Sequence, residues 1–195
     1  MRDFHARVND AVRAAYARQS AQSVSQFMGA ILQTTIGEED AQGYEGHYEE
    51  LCRIMAETNM MPSKHQFAVA ASAMIENGTH KKQMWRQPAG TGKLRTLLSM
   101  IYLFTQIRNE KHFTVYFANQ EQIEADWPSF HELQLQLNLI YPGTKIVARS
   151  AKRLLRSPTR TVNFVDEADY FLIDAKEFKV SEDDELIGLT ATTFK

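Results

Sequence analysis

The chain has 195 residues, 44% of them hydrophobic and 24% charged, a composition that excludes a disordered or low-complexity protein. Its 22 basic and 24 acidic residues leave a formal net charge of −2, so overall charge predicts neither a nucleic-acid nor a membrane partner, although a local basic patch could bind one. The richest apolar run, residues 97–104, is far shorter than the roughly 20 residues that span a bilayer, and we expect no membrane span. The one cysteine, Cys52, excludes an internal disulfide and a cysteine-based zinc cluster. It fits a reducing compartment, and we expect an intracellular, cytoplasmic protein.

The first twenty residues carry regularly spaced arginines and apolar residues, a pattern that also suits a mitochondrial transit peptide. Asp3 and Asp10 lie inside this pattern, however, and transit peptides are poor in acidic residues. We therefore expect an ordinary packed helix here, with mitochondrial targeting as the alternative.

Residues 1–60 are predicted to form a helical extension. One helical pattern covers residues 3–35, an acidic, glycine-containing loop follows at residues 37–43, and a second helix covers residues 46–57. No internal repeat and no long linker separates this part from the rest. We expect it to form a helical layer on the domain that follows.

Helices and strands alternate over residues 61–195. The periodicity predicts helices at residues 63–76, after the turn at 88–92, at 121–127 and at 131–137, and strands at 82–86, 113–118, 144–148, 161–165 and 185–190. Such alternation predicts an α/β domain with a mainly parallel sheet. Ligands of these sheets bind at the carboxyl ends of the strands.

The first motif with chemical meaning lies between a predicted strand and a predicted helix. A P-loop, GxxxxGK[ST], uses glycines to let backbone amides surround phosphate oxygens, a lysine to reach the β and γ phosphates, and a hydroxyl to bind Mg²⁺. The corresponding residues here are Gln87, Pro88, Ala89, Gly90, Thr91, Gly92, Lys93 and Leu94. Gln87 replaces the first glycine and Leu94 replaces the hydroxyl residue. An ordinary tight turn before a helix is the alternative interpretation.

The second motif, residues 165–169 (Val-Asp-Glu-Ala-Asp), directly follows an apolar strand. In a Walker B site the aspartate binds Mg²⁺ and the next glutamate polarises the attacking water. Asp166 and Glu167 occupy these two positions. A solvated acidic turn is the alternative, which the apolar run before the motif disfavours.

A third motif, Leu-Thr-Ala-Thr at residues 189–192, again follows a predicted strand. The order of Gln66, residues 89–93, residues 165–169 and this motif resembles the first RecA-like lobe of superfamily 2 helicases, the DEAD-box-like group. The spacing is similar too, with 73 residues from Lys93 to Asp166. The resemblance covers residues 62–195. Residues 166–174 also resemble the same region of SecA-type preprotein translocase motors, so the subfamily stays open.

The resemblance implies a RecA-like three-layer α/β/α domain that binds ATP and Mg²⁺. In such a lobe, residues 90–93 would hold the phosphates, Asp166 would bind the metal and Glu167 would activate water. Thr190 and Thr192 would couple the site to the substrate. Gln66 would read the adenine edge, since an amide can both donate and accept.

The same resemblance implies a single-stranded RNA or DNA partner for the basic stretch at residues 143–165. Arg149, Lys152 and Arg153 are the expected phosphate contacts, because clustered Lys and Arg bind phosphates without reading sequence. A solvated basic face is equally compatible with the sequence.

Two features depart from the family pattern. The chain ends just after the third motif, so we expect the second RecA-like lobe to come from a longer chain or from a partner protein. Leu94 cannot ligate Mg²⁺, and hydrolysis should therefore be slow. The alternatives are a catalytically weak pseudo-ATPase that serves as a nucleotide-binding or structural interaction module, and a fragment of a SecA-like protein-translocating motor.

Overall fold

The computed structural model describes residues 38–56, 58, 60–77, 82–87, 90–150, 161–168 and 185–191, without the side chains of residues 38–43 and 75–77. The helices in these ranges are α1 (Glu38–Ile54), α2 (Lys64–Asn77), α3 (Lys93–Arg108) and α4 (Gln120–Ile140). The strands are β1 (Lys82–Arg86), β2 (His112–Phe117), β3 (Lys145–Ser150), β4 (Val162–Val165) and β5 (Glu185–Thr190). The predicted helix at residues 3–35, and with it the question of targeting, lies outside the described residues.

The described strands form one parallel sheet in the order β1-β5-β4-β2-β3. Strand β2, which lies between β4 and β3, is buried at every position except its first residue, as expected for a strand covered on both faces. The predicted α/β class with a parallel sheet is therefore confirmed.

Aromatic contacts show which face of the sheet the described helices cover. Phe164 of β4 lies in register with Val115 of β2, so both side chains point to the same face. Phe104 of α3 packs edge-on against Phe164, with ring centroids 5.8 Å apart. Phe130 of α4 packs against a β2 ring on this same face. Both helices thus lie on one side of the sheet, and the three-layer α/β/α arrangement stays a prediction.

Helix α3 forms the centre of the core. All of its residues from 96 to 105 are buried, which requires cover on every side. The sheet covers one side, and α1 and α2 cover the other. Tyr102 of α3 donates a hydrogen bond to Glu50 of α1 at 2.9 Å, while Tyr48 of α1 packs against Phe67 of α2 at 5.3 Å between ring centroids. Helix α1 is therefore part of the same packed unit, and the proposed domain division at residue 60 stays a prediction.

Two predicted breaks in helices are wrong. Helix α1 begins at Glu38, so the expected loop at residues 37–43 is helical from residue 38 onward. Helix α4 is continuous through Pro128, where the sequence suggested two segments. Its amino end is capped by Asn119, and its later residues Phe130, Leu133 and Leu137 are fully buried, so packing outweighs the backbone hydrogen bond that proline cannot donate.

No helix in the described part of the chain is long and apolar enough to cross a membrane.

Candidate nucleotide-binding site

The predicted site residues gather at the carboxyl edge of the sheet. Two backbone hydrogen bonds extend the strand pairing there by one residue, from Gln87 N to Thr190 O at 2.8 Å and from Asp166 N to Tyr116 O at 3.0 Å. The connection that follows β2 runs to β3, at one edge of the sheet, whereas the connection that follows β4 runs to β5, toward the other edge. The two connections therefore diverge between the neighbouring strands β4 and β2. Crevices at such switch points are the usual ligand sites of open parallel sheets.

The turn before α3 depends on glycine. Gly90 and Gly92 have φ values of 77° and 79°, a region that other residues rarely adopt. A Cβ atom on Gly92 would also overlap the side-chain amide of Gln66. The amides of Arg95 and Thr96 donate to Gly92 O at 3.0 and 3.3 Å, so the helix's own bonding begins there. The amides ahead of them point out of the helix end, where they can meet an anion.

An ion pair joins the first motif to the second. Lys93, the first residue of α3, donates a short hydrogen bond from Nζ to Glu167 Oε1. The lysine side chain is 12% exposed and the glutamate side chain 37%, so the pair is partly shielded from solvent. Glu167 has a φ of 53°, uncommon for a residue with a side chain, and this turns the chain sharply after β4.

Asp166 is buried beside this ion pair, with 6% of its surface exposed. Its Oδ2 accepts a hydrogen bond of 2.7 Å from Gln122 Nε2, while its Oδ1 is buried with no hydrogen-bond partner in the described structure. Burial raises the pKa of Asp166 to about 6; Lys93 opposes the rise and Glu167 adds to it. A buried carboxylate oxygen without a donor is costly unless a cation binds it, so this atom fits a Mg²⁺ ligand.

Gln87 and Leu94 show how the chain accommodates its two departures from the P-loop pattern. Gln87 is buried and donates from Nε2 to Thr96 Oγ1 at 2.9 Å and to Thr91 O at 3.4 Å. Its side-chain amide thus connects the glycine turn to the first turn of α3. Its Oε1 has no hydrogen-bond partner within the described residues. Leu94 is half-buried and packs against the hydrophobic core. Pro88 and Ala89 lie outside the described residues.

Gln66 belongs to the amino end of α2. Ser63 Oγ accepts from Gln66 N at 3.2 Å, and Gln66 Oε1 accepts from Ser63 N at 2.8 Å, which together form a capping box. The remaining donor, Nε2, binds Thr91 O at 2.7 Å and so supports the glycine turn. Both ends of the amide have protein partners in this structure. Adenine recognition by Gln66 stays a prediction.

The other predicted residues are only partly described. Thr190 is buried at the end of β5, beside the turn that starts at Gln87. Arg149 is half-buried near the carboxyl end of edge strand β3, two strands from Asp166. Thr192, Lys152 and Arg153 lie outside the described residues.

No motif in the sequence predicted Gln122 as a site residue. Its segment, residues 119–122, follows strand β2 at once, and side chains that follow neighbouring parallel strands collect at one edge. That rule would have placed the first turn of α4 next to Asp166.

A cavity of about 640 Å³ lies away from this edge, between the end of α1 and the middle of α4. Arg53, Ile54 and Met60 line one side and Pro128 and Glu132 the other. The described residues contain no group of three or more potential metal ligands, either at this cavity or at the sheet edge. None of the predicted site residues in the described part of the chain lines the cavity. We therefore place the candidate site at the sheet edge.

Neither a protein-family model nor a curated protein sequence matches this chain.

Proposed function

We propose that this chain is a RecA-like, ATP-binding motor lobe of the superfamily 2 helicase type, in which ATP hydrolysis is coupled to a nucleic-acid strand. The observation that carries this proposal is the contact between the two motifs. Lys93 and Glu167 were selected from separate stretches of sequence and form an ion pair at the carboxyl edge of the sheet. The two motifs therefore supply a cation and a carboxylate to the same place at this edge.

Backbone amides, Lys93 and Asp166 together support the binding of a nucleoside triphosphate. The first intrahelical bonds of α3 are donated by Arg95 and Thr96, so the amides of Lys93 and Leu94 ahead of them remain available to phosphate oxygens. Lys93 can exchange Glu167 for a phosphate, since both are anions within reach of the same ammonium group. Asp166 Oδ1 supplies the buried acceptor for Mg²⁺. Bound Mg²⁺ would neutralise charge on the phosphates, which is its usual contribution to phosphoryl transfer.

Release of Glu167 from Lys93 would also free its carboxylate to orient a water molecule. A general base must lie within hydrogen-bond reach of the proton that it accepts. The Glu167 side chain is 37% exposed, so water can reach it. Thr190 and Thr192 would couple the nucleotide site to a bound nucleic-acid strand.

Leu94 favours a second candidate function, a nucleotide-binding module that hydrolyses ATP weakly or not at all. Its side chain packs against the core and offers no oxygen to a metal. The two candidates share the binding site and differ in turnover, so binding and hydrolysis must be measured separately.

Titration of the purified chain with a fluorescent ATP analogue tests the shared site. We expect Lys93→Ala to weaken binding by about 10-fold or more, because a charge-assisted contact to phosphate is lost. Lys82→Ala is the matched control, since this exposed lysine begins β1 at the opposite end of the strand. Equal binding by the wild type and Lys93→Ala, or no binding by either, would contradict the proposed function.

Phosphate release, measured with and without single-stranded RNA or DNA, distinguishes the two candidates. Turnover that Glu167→Gln abolishes supports the motor lobe. Tight binding without turnover, and without any effect of nucleic acid, supports the module.

A further inference from the structure

Gln122, in the first turn of α4, has two different hydrogen-bond partners at the two ends of its amide. Nε2 donates to Asp166 Oδ2 at 2.7 Å. Oε1 accepts from the backbone N–H of Ala118 at 3.2 Å. The side chain therefore bridges the end of β2 and the end of β4, the two strands between which the chain connections diverge.

The protein determines the orientation of this amide. The N–H of Ala118 can only donate, so the group that faces it must be the amide oxygen, and the amide nitrogen must then face Asp166. The Gln122 backbone is held as well, because its N–H donates to the N-cap oxygen of Asn119 at 2.8 Å. Gln122 thus offers Asp166 a donor in a fixed position and has no oxygen left to offer a cation.

Asp166 is held asymmetrically as a result. Oδ2 has its donor, whereas Oδ1 is buried without one in the described structure. Were the carboxylate to rotate, Oδ1 would take the donor and Oδ2 would be displaced from the position it now has. The hydrogen bond from Gln122 opposes this rotation.

We propose that Gln122 is a positioning residue that holds Asp166 so that Oδ1 stays directed at a divalent cation bound with the nucleotide. This inference rests on the proposed function, since it assumes that Asp166 serves a metal–nucleotide complex. Residues that orient metal-binding carboxylates typically change metal affinity by about 10- to 100-fold when they are replaced. The bridge also connects the turn between β2 and α4 to the cation site.

The test compares Gln122→Met in two backgrounds, wild type and Asp166→Asn. Methionine matches glutamine in length but donates nothing. For each protein, the affinity for a fluorescent ATP analogue is measured in Mg²⁺ and in EDTA, and the ratio of the two affinities reports the contribution of the metal. We expect Gln122→Met to lower this ratio by about 10-fold in the wild type and to leave it unchanged in Asp166→Asn.

Gln120→Met is the matched control, because this exposed glutamine lies in the same helical turn and its side chain donates a hydrogen bond to Glu124, not to Asp166. Its ratio should equal that of the wild type. Circular dichroism verifies that each variant is folded, and Gln122→Leu replaces Gln122→Met if the latter is not.

The outcomes separate this inference from the proposed function. A wild type that binds no nucleotide overturns both. Mg²⁺-dependent binding that Gln122→Met leaves intact, or lowers equally in both backgrounds, overturns the positioning role alone. A loss confined to the background that retains Asp166 supports it.

Discussion

At the scale of single residues, Leu94 is the clearest departure from a working P-loop. It stands directly after Lys93, where a hydroxyl would bind Mg²⁺, and it packs against the core instead. The side chain at this position thus makes apolar contacts and has no oxygen to offer a cation. One substitution, Leu94→Thr, introduces a hydroxyl there.

We expect Leu94→Thr to raise ATP affinity in Mg²⁺ while affinity in EDTA changes little, because a hydroxyl returns to the cation. The same change should lower the free energy of unfolding by about 1–3 kcal/mol through lost apolar contact. Leu94→Val is the control, since valine has the shape of threonine without the hydroxyl. A gain shared by both variants, or a gain that persists in EDTA, would mean that residue 94 does not lie at the ion.

The burial of Asp166 predicts that the stability of the fold depends on pH. Burial is the main reason that its pKa is raised to about 6, from an ordinary value of 3.8; Lys93 lowers it, and Glu167 and Asp126 raise it further. Because the folded-state pKa is the higher one, the folded protein binds the proton more tightly than the unfolded chain. The stability that this proton confers is present below about pH 4 and is lost as pH rises through about 6.

Asp166→Asn, which cannot ionise, should therefore gain stability relative to the wild type between about pH 4 and pH 7, by up to about 3 kcal/mol. Urea unfolding of both proteins in EDTA, at several pH values in this window, measures the difference. A difference that does not grow with pH would contradict the assignment of the buried carboxyl.

At the scale of secondary-structure elements, a buried ion pair joins the end of α3 to the start of β5. Arg108 donates two hydrogen bonds to Glu185, from Nη1 and Nη2 at 3.0 and 2.9 Å. Glu185 is 1% exposed, whereas the arginine side chain is 25% exposed. The pair lies at the amino ends of the strands, opposite the candidate site, so it serves the fold.

Replacing Arg108 with methionine should lower the free energy of unfolding by about 3 kcal/mol, because it leaves a buried carboxylate without its guanidinium. Arg53→Met is the control: Arg53 is 74% exposed and lies 3.8 Å from Glu50, so its loss should cost less than about 1 kcal/mol. Chemical denaturation of the three proteins makes the comparison. Equal losses in the two variants would show that Arg108 contributes no more than a surface charge.

At the scale of the whole molecule, the parallel sheet places chemically different segments at one edge. The turn before α3, the turn after β4 and the first turn of α4 all meet there, although they are far apart in sequence. Arg149 of β3 lies near the same edge, toward the outer strand. Of the three basic residues expected to contact nucleic acid, Arg149 is the one that the structure describes, and it lies two strands from Asp166 at the candidate site.

We expect the triple substitution of Arg149, Lys152 and Arg153 by alanine to weaken binding of single-stranded RNA or DNA. Each lost phosphate contact should reduce the log–log dependence of affinity on salt by about 0.7. Lys145→Ala, at the amino end of β3, is the control for a basic residue at the opposite edge. An unchanged salt slope in the triple variant would identify the stretch as a solvated basic face.

The sequence by itself was sufficient for the α/β class, the strand positions and the parallel sheet, because these follow from local periodicity and short-range turn chemistry. The five strands lie within two residues of their predicted bounds in the described chain. Ser63 and Gly92 show why: a capping residue and a left-handed turn carry their information in a few neighbouring positions.

Only the tertiary structure decided how the segments meet. Local pattern suggested two helical segments around Pro128 and a loop at residues 37–43. The structure has one continuous α4, in which buried side chains pack against the core, and α1 begins at Glu38. The hydrogen-bond partner of Asp166 could not be predicted from local sequence either, because Gln122 lies 44 positions away. Oδ1 of Asp166 becomes buried, without a hydrogen-bond donor among the described residues, only when β2 and β4 pair. Desolvation and hydrogen bonding between distant residues are properties of the assembled fold.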